Sequence, residues 1–248
     1  MKEEEGYTLS SPLFEDLWSR APMRRKFSDR DMVEGWVRAE VALARAQAQE
    51  GLIPAQAALA IEQTGRTLEF DMVAMRHGVT ATLHQLMPFI NQFRDACPGD
   101  AGQYLHWGAT TQDIIDTGAM LRSKQAMTMI VEGLEKLEAA LATLCEREAE
   151  TVMAGRTHGQ QALPITFGFK VANWLSEVRR SIDRLKAMFD RVFVVSIVGA
   201  VGTSAYMGSK GLDVAQKVAA DLGLGWDPVS WQAARDRIGE MLSSMILA

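Results

Sequence analysis

The sequence predicts an all-α protein, with a small helical N-terminal domain followed by a bundle of long helices. Apolar residues recur at alternating steps of three and four along two long segments, which is the spacing of one helix face. No proline lies between residues 111 and 148, and glycine or proline marks the ends of shorter helical segments. Two long helices cannot bury their apolar stripes alone, so they imply a bundle.

Composition and charge narrow the class of protein. The chain has 248 residues, of which 48% are hydrophobic and 23% are charged, and this excludes wholesale disorder. The net charge of −5 is a poor fit to a dedicated nucleic-acid binder. Two cysteines, Cys97 and Cys145, cannot form a disulfide framework, so we expect a reducing, cytoplasmic setting. The acidic start and an interrupted apolar run at 192–201 predict neither a signal peptide nor a membrane span.

The first helix is predicted from its end signals. After an irregular lead-in over residues 1–27, Ser28 and Asp31 form a capping-box pattern, in which side chains satisfy free N–H groups at a helix start. The helix should run to about Gln49 and stop at Gly51, because glycine adopts a left-handed cap without strain.

Two shorter helical segments follow. One should cover 55–63 and be closed by Gly65, and the other should cover 71–93 and be kinked or split by Pro88. A turn is expected over 97–100, because proline and glycine are adjacent there.

The long helices come after this turn, so we expect a helical N-terminal domain over 1–100 and the first part of the bundle domain over 101–248. The first long helix should run over 111–148, with an apolar stripe formed by Met127, Ile130, Leu134, Leu137, Leu141 and Leu144. The stripe of the second long helix is formed by Val171, Leu175, Val178, Ile182, Leu185, Phe189 and Val192. Both stripes are interpreted as core packing.

The end of the sequence carries two more helical segments. A short one should cover 212–222 and end at Gly223, and the last should cover 230–248. The last segment ends with neither a glycine cap nor a basic turn, so we expect the natural protein to continue.

His158 is the best candidate for acid–base chemistry. It lies between Thr157 and Gly159, close to Gln160 and just before an expected proline-led helix, and an imidazole there exchanges protons near neutral pH. From spacing alone, a structural hydrogen-bonding role is about as well supported as a catalytic one.

A second polar cluster, at 106–113, stands where the first long helix should begin. Thr110 can cap this helix and Asp113 can return the bond, which is a purely structural role. Hydroxyl side chains and free N–H groups at a helix N-terminus also form an anion site, and both roles can hold together.

Two charged clusters are weaker signals. Arg76 and His77 are adjacent and fit a solvated pair better than a site, and the run 235–237 is typical of an exposed ion-pair cluster. Nucleophile elbows, phosphate-binding glycine loops and zinc-protease motifs are absent from the sequence. Gly199 and Gly202 lack the third glycine and the preceding strand of a dinucleotide fingerprint, so we interpret them as part of a loop.

The polar clusters, in this order, resemble signature regions of the fumarase/aspartase superfamily. HWGATTQDIIDTG at 106–118 is similar to the first signature, and GRTHGQQALPITFG at 155–168 is similar to the second. GAVGT at 199–203 and the RDR run at 235–237 resemble the branch that holds 3-carboxy-cis,cis-muconate cycloisomerase and adenylosuccinate lyase. The match extends to the first helix, with FSDRDMV at 27–33, and so spans nearly the whole chain.

The resemblance implies an all-helical subunit whose long helices form the core of a homotetramer, with each active site assembled from three subunits. It implies a reaction in which a base removes a proton beside a carboxylate and the group on the next carbon leaves, usually with release of fumarate, or the reverse addition. The substrate is then a small polycarboxylate, and no metal or organic cofactor is needed. Catalysis of this kind rests on preorganised donors around the developing negative charge.

The resemblance also assigns roles by position. His158 matches the acid/base histidine of the lyases, and His77 matches a histidine that approaches the leaving group in adenylosuccinate lyases, so both are expected to be catalytic. The residues expected to bind substrate are Arg76, Thr110, Thr111, Gln112, Thr157, Gln160 and Arg235.

The third signature of the superfamily, a flexible loop that carries the general-base serine, is absent from the sequence. It would follow Ala248, so the resemblance implies an N-terminal portion that is truncated within the bundle and inactive alone.

Substrate signals point in two directions. The lead-in at 11–30 resembles the cycloisomerases, whereas His158 and His77 resemble the lyases, although Gly78 stands where lyases carry an aspartate. The sequence therefore predicts an enzyme most like 3-carboxy-cis,cis-muconate cycloisomerase. It leaves open an adenylosuccinate-lyase-like C–N lyase that releases fumarate, and a non-catalytic helical assembly protein.

Overall fold

The structure is a computed structural model that describes residues 11 and 13–248. Within this part the regular secondary structure is helical apart from one two-stranded hairpin and an isolated bridge between Val194 and Gly225, which confirms the all-α prediction. The α-helices are Glu15–Trp18 (α1), Ala21–Lys26 (α2), Asp29–Gln49 (α3), Ala55–Thr67 (α4), Met72–Thr82 (α5), Met87–Ala96 (α6), Thr111–Arg147 (α7), Phe167–Val192 (α8), Gly211–Leu222 (α9) and Asp236–Ile246 (α10). The strands are Val152–Thr157 (β1) and Gln160–Thr166 (β2), and short 3-10 helices cover Ala101–Tyr104 and Ala205–Lys210.

The described part of the lead-in, expected to be irregular, contains the short helices α1 and α2. Arg24 of α2 reaches back to the carboxylates of Glu15 and Asp16, at 3.3 Å and 2.8 Å. The acidic start of the sequence lies outside the described residues.

The described chain divides into two compact units. The first unit comprises the residues up to 125 together with 193–235, and the second comprises 126–192 together with 236–248. Helix α7 therefore begins in the first unit and ends in the second. The domain boundary at residue 100 stays a prediction.

Helix α3 is the central helix of the first unit, and its ends are those that the sequence predicts. Ser28 Oγ accepts a hydrogen bond from the backbone N–H of Asp31 at 3.2 Å, which caps the first turn. Gly51 follows the helix with a φ of 68°, in the left-handed region that favours glycine. Between these ends α3 packs against α4 and α9.

The segment expected to be kinked at Pro88 is split into α5 and α6, as proline predicts. Pro88 lies in the first turn of α6, where its missing N–H costs no helical hydrogen bond. The helix end predicted at Gly65 is wrong, since α4 continues to Thr67. An added Cβ at Gly65 would lie 2.9 Å from Val37 Cγ1, so this glycine allows close packing of α4 on α3.

An aromatic cluster joins α3 to α6 inside the first unit. The ring centroids of Trp36 and Phe89 are 5.5 Å apart, and those of Phe89 and Phe93 are 5.8 Å apart, both in edge-to-face geometry. All three side chains are buried. The cluster holds α6 in place. Helix α6 in turn positions the break between α5 and α6 and the segment that connects α6 to α7.

The second unit buries only part of the two predicted stripes. On α8 the residues Val171, Ile182, Leu185 and Val192 are buried, and α10 packs against this helix. On α7 the stripe is buried at Met127, half-buried in most other places and exposed at Leu137. Core packing is therefore confirmed for much of α8 and for the first part of the α7 stripe in this chain.

The proline-led helix expected after His158 is wrong. Residues 152–166 form the antiparallel hairpin β1–β2, in which Pro164 lies within β2 opposite Ala154, and α8 begins only at Phe167. The local hydrogen bonds of the hairpin and its tight turn hold this short segment extended between two long helices.

Candidate active site

The start of α7 has the cap that the sequence predicts for Asp113. The Asp113 carboxylate accepts a hydrogen bond from the backbone N–H of Thr110, with Oδ2 at 3.1 Å from the nitrogen. Thr110, Thr111 and Gln112 are half-buried beside it. The first N–H groups of a helix have no partner within the helix, so this end favours negative charge.

Asp113 also binds two other parts of the first unit. Its Oδ2 accepts from Gly199 N at 2.9 Å, and its Oδ1 accepts from Val198 N at 3.2 Å and from Gln232 Nε2 at 2.8 Å. Burial raises the pKa of the Asp113 carboxyl, and the donors oppose that rise. This residue thus joins the start of α7 to the glycine-containing loop, which is a loop as the sequence predicts.

His84 is a candidate functional residue that the sequence did not single out. It lies in the break between α5 and α6, and its Nε2 is 3.3 Å from Thr111 Oγ1. Its Nδ1 accepts a hydrogen bond from the backbone N–H of Met87 at 3.1 Å, so in the neutral ring the proton is on Nε2. His84 therefore donates toward the threonine at the start of α7. The signal in the sequence was its position just before the proline that opens α6.

Arg76 and His77, expected at the site, lie on α5 and are exposed. The contact to Thr111 comes from His84, seven residues after His77. The neighbouring Gly78 packs against α6, and an added Cβ would lie 2.9 Å from Pro88 Cγ. This packing explains why an aspartate does not fit at that position. A catalytic role for His77 stays a prediction.

His106, within the first signature, is held by helix α3. Its Nδ1 lies 2.6 Å from Glu40 Oε1, and its backbone N–H donates to Glu40 Oε2 at 3.1 Å. The following residue, Trp107, accepts a hydrogen bond at its carbonyl from Gln47 Nε2 at 2.6 Å. Glu40 was not identified from the sequence. It could have been found as a charged residue among alanines and leucine on the buried face of α3.

The second signature forms the hairpin of the second unit, with His158 at its tip. Thr157 pairs with Gln160, and the two residues between them, His158 and Gly159, have φ values of 53° and 74°. Positive φ at both central residues is the requirement of a type I′ turn. All four residues are exposed, so the imidazole and the hydroxyl are accessible to a ligand.

Arg235, expected to bind substrate, makes structural contacts in the first unit. Its guanidinium donates to Asp116 Oδ2 at 2.8 Å and lies over the ring of Trp231, 5.5 Å from its centroid. Asp116 is buried on α7, so the pair attaches the end of the first unit to that helix.

The structure groups the candidate residues by unit. His84, Thr110, Thr111 and Gln112 lie in the first unit, at or beside the start of α7, whereas the second unit carries the hairpin residues Thr157, His158 and Gln160. Over residues 11 and 13–248, no three acidic, histidine or cysteine side chains group as metal ligands would. No helix in the same part of the chain is both long and apolar enough to span a membrane.

Comparisons with known proteins agree with the helical fold and the family that the sequence resembles. A family model described as lyase matches residues 14–246. N-acetyl-S-(2-succino)cysteine lyase of Enterococcus italicus is 41% identical, covering 96% of this chain and 52% of that protein. Adenylosuccinate lyase of Methanocaldococcus jannaschii is 38% identical, covering 91% of this chain and 49% of that protein. The solved beta-carboxy-cis,cis-muconate cycloisomerase of Acinetobacter calcoaceticus has a TM-score of 0.92 at 36% identity, covering 95% of this chain and 56% of that one.

The chain spans about half the length of the curated relatives that it matches. Over that half the matched family model and the helical fold of the solved cycloisomerase agree. The chain therefore belongs to the lyase family of the fumarase/aspartase superfamily, in the branch that includes 3-carboxy-cis,cis-muconate cycloisomerase and adenylosuccinate lyase.

Proposed function

We propose that the whole protein is an enzyme that moves a proton beside a carboxylate of a small polycarboxylate and breaks or forms the bond to the group on the next carbon. The start of α7 is the observation that carries this proposal. Thr110 and Thr111 stand at a helix end that favours anions, and His84 donates toward Thr111 Oγ1 from 3.3 Å. Because the imidazole donates to Thr111 Oγ1, the Thr111 O–H is left to donate, and hydroxyl and backbone donors at one helix terminus suit a substrate carboxylate.

In the elimination, a base takes the proton from the carbon beside the carboxylate, and the electrons of that C–H bond pass into the carboxylate. They then form the carbon–carbon double bond, while the group on the next carbon leaves with its bonding pair and accepts a proton from an acid. We assign His158 to acid/base catalysis, because its ring is exposed at the hairpin tip. Thr157 and Gln160 flank it as substrate-binding groups.

Two substrate classes are consistent with this chemistry. The cycloisomerase reaction, in which an internal carboxylate adds across a double bond, is the one that the lead-in of the sequence resembles. A fumarate-releasing lyase is the second candidate. It is favoured by 41% identity to a lyase named for a 2-succino adduct of cysteine. Elimination from such an adduct yields fumarate and a thiol, and these two products together contain every atom of the substrate.

We further propose a homotetramer that shares its active sites between subunits. The stripe of α7 supports this, because it is half-buried or exposed over most of its length in the single chain. On α8 the side chains of Phe169 and Trp174 are also exposed. Apolar surface of this extent on long helices is typical of subunit interfaces.

Turnover by the full-length protein tests the proposal. It is incubated with N-acetyl-S-(2-succino)cysteine, adenylosuccinate and 3-carboxy-cis,cis-muconate, and products are followed by ultraviolet absorbance and chromatography. His158→Asn removes the imidazole but keeps a residue that tolerates positive φ, so the hairpin should be retained. We expect its rate to fall by about 10²–10⁴-fold, as for loss of a general acid or base.

Gln161→Asn, on the same hairpin but outside the turn, is the matched control and should keep the parental rate. A loss below about tenfold in His158→Asn would reject the acid/base role. Failure of the parent to turn over any of the three compounds would favour the non-catalytic assembly protein.

A further inference from the structure

Glu40 is a carboxylate in an enclosed place on α3, and its side chain has no exposed surface. Within the part of the chain that the structure describes, both of its oxygens are satisfied by His106, one by the ring Nδ1 and the other by the backbone N–H. A buried carboxylate is strongly disfavoured unless a positive charge and hydrogen bonds compensate it. The pair is therefore most stable when His106 is protonated.

The contact leaves one edge of the imidazole for a ligand. A carboxylate can only accept, so the hydrogen shared with Glu40 belongs to Nδ1, and Nε2 is the remaining polar atom of the ring. Nε2 makes no hydrogen bond to any residue in 11 or 13–248, and 14% of the His106 side chain is exposed. Glu40 thus points an N–H donor away from α3.

A second side chain of α3 fixes the same loop. Gln47 lies two helical turns after Glu40, on the same face, and donates to the carbonyl of Trp107. His106 itself has a φ of 61°, in the left-handed region that residues other than glycine seldom adopt. Three hydrogen bonds from one rigid helix therefore hold the loop that ends at Thr110, where α7 begins.

The charges around His106 favour its cationic form. Burial by itself lowers the pKa of His106, but the charge and the hydrogen bond of Glu40 raise it by more. Asp113 adds to the rise, and Arg94 opposes it. The pKa of His106 is raised overall, so the ring stays protonated to a higher pH than an ordinary histidine.

We propose that Glu40 is a positioning residue of the substrate site, which orients His106 and keeps it cationic so that Nε2–H binds an anionic group of the substrate. The identity of that anion rests on the proposed function, since a polycarboxylate offers more than one carboxylate. The charge state of His106 does not depend on the proposed function, so the two proposals can be tested separately.

The charge state is measured on the full-length protein with diethyl pyrocarbonate, which modifies neutral imidazole. The rate at His106 is read by peptide mass spectrometry across the pH range, with exposed His77 as the internal reference for reagent. We expect the His106 midpoint to lie above the ordinary value of about 6.5. In Glu40→Gln, which keeps the shape but loses the charge, the midpoint should fall below that of the parent, because burial then lowers the pKa of His106 without the opposing charge.

The kinetic test asks whether the cation binds substrate. In Glu40→Gln we expect KM above neutral pH to rise about tenfold with kcat within about twofold, and KM to recover as the pH is lowered. His106→Gln should raise KM at every pH, because no cation can form. Glu62→Gln is the matched control, since it removes a carboxylate that pairs with Arg45 of α3 and not with a histidine.

Each outcome supports or overturns the role of Glu40. The same midpoint in parent and Glu40→Gln overturns it, even if the lyase activity is present. A pH-independent loss of kcat with unchanged KM also overturns it, because a merely structural defect behaves in that way. If Glu40→Gln does not fold, the midpoint of His106 is measured in Glu40→Asp and in the parent instead. A midpoint above about 6.5 in both proteins supports the proposal. A midpoint at or below about 6.5 in the parent rejects it. A parent without lyase activity but with a Glu40-dependent midpoint rejects the proposed function alone.

Discussion

The carboxylate of Asp113 exchanges the water that it loses on burial for hydrogen bonds from three segments of the chain. Donors come from the residue before α7, from the loop at 198–199 and from Gln232. Removing a buried acceptor costs more than the bonds themselves, because the donors around it are left without partners. This side chain therefore holds in place the helix end at which the candidate carboxylate site lies.

We expect Asp113→Asn to lower the free energy of unfolding by about 2–4 kcal/mol, because an amide replaces one acceptor oxygen by a donor that faces the donors around it. Denaturant unfolding of the parent and the variant measures the change. Asp95→Asn, on the exposed surface of α6, is the control and should change stability by less than about 0.5 kcal/mol. Equal stability of Asp113→Asn and the parent would show that the hydrogen bonds seen here carry little energy.

Two glycines inside helices show how packing decides the use of the same residue. Gly65 of α4 is surrounded by Val37, Val41 and Phe93, whose atoms would lie 2.9–3.1 Å from an added Cβ. Gly133 of α7 has open space around it, with nothing within 4 Å. The sequence does not show how these two glycines differ, and the side chains packed around each position determine which glycine is required.

We expect Gly65→Ala to destabilise the protein by about 1–3 kcal/mol, because overpacking outweighs the better helix propensity of alanine. Gly133→Ala should instead stabilise it by about 0.5–1 kcal/mol in the same assay. Thermal and denaturant unfolding of the two variants side by side measure the difference. Stabilisation by both substitutions would mean that α3 and α4 can separate without cost.

At the scale of the whole molecule, the second unit leaves apolar side chains of long helices in contact with solvent. Phe169 is 61% exposed and Trp174 is 43% exposed on α8, and Leu137 is exposed on α7. Charged neighbours line the same helices, and Lys186 pairs with Glu135 at 2.5 Å. These helices are long enough to form an extended interface, which agrees with the proposed homotetramer.

The proposed homotetramer predicts that Trp174→Glu shifts the full-length protein toward smaller species, because the proposed interface would then bury a charge without a partner. Size-exclusion chromatography with light scattering measures the mass. Leu59→Glu, at an exposed position of α4 in the first unit, is the control and should leave the mass unchanged. A tetramer that survives Trp174→Glu would place the interface elsewhere.

Local signals determined much of the fold. The cap at Ser28, the left-handed Gly51, the split at Pro88 and the return bond from Asp113 to Thr110 were all predicted and all observed. Each of these depends on a few adjacent residues, whose backbone preferences and hydrogen bonds do not require the rest of the chain. The hairpin escaped prediction, because a His-Gly pair is a weak turn signal beside two strong helical stripes.

The parts of the site that came only from the structure involve residues far apart in the sequence. Thr111 was singled out, but its partner His84 lies 27 residues earlier, and His106 meets Glu40 across 66 residues. The sequence by itself indicated the family, most of the helices and most of the candidate residues, because motif order and periodicity are local. The tertiary structure decided which charges compensate each other, because a buried charge must find its partner wherever the packing of the helices brings one.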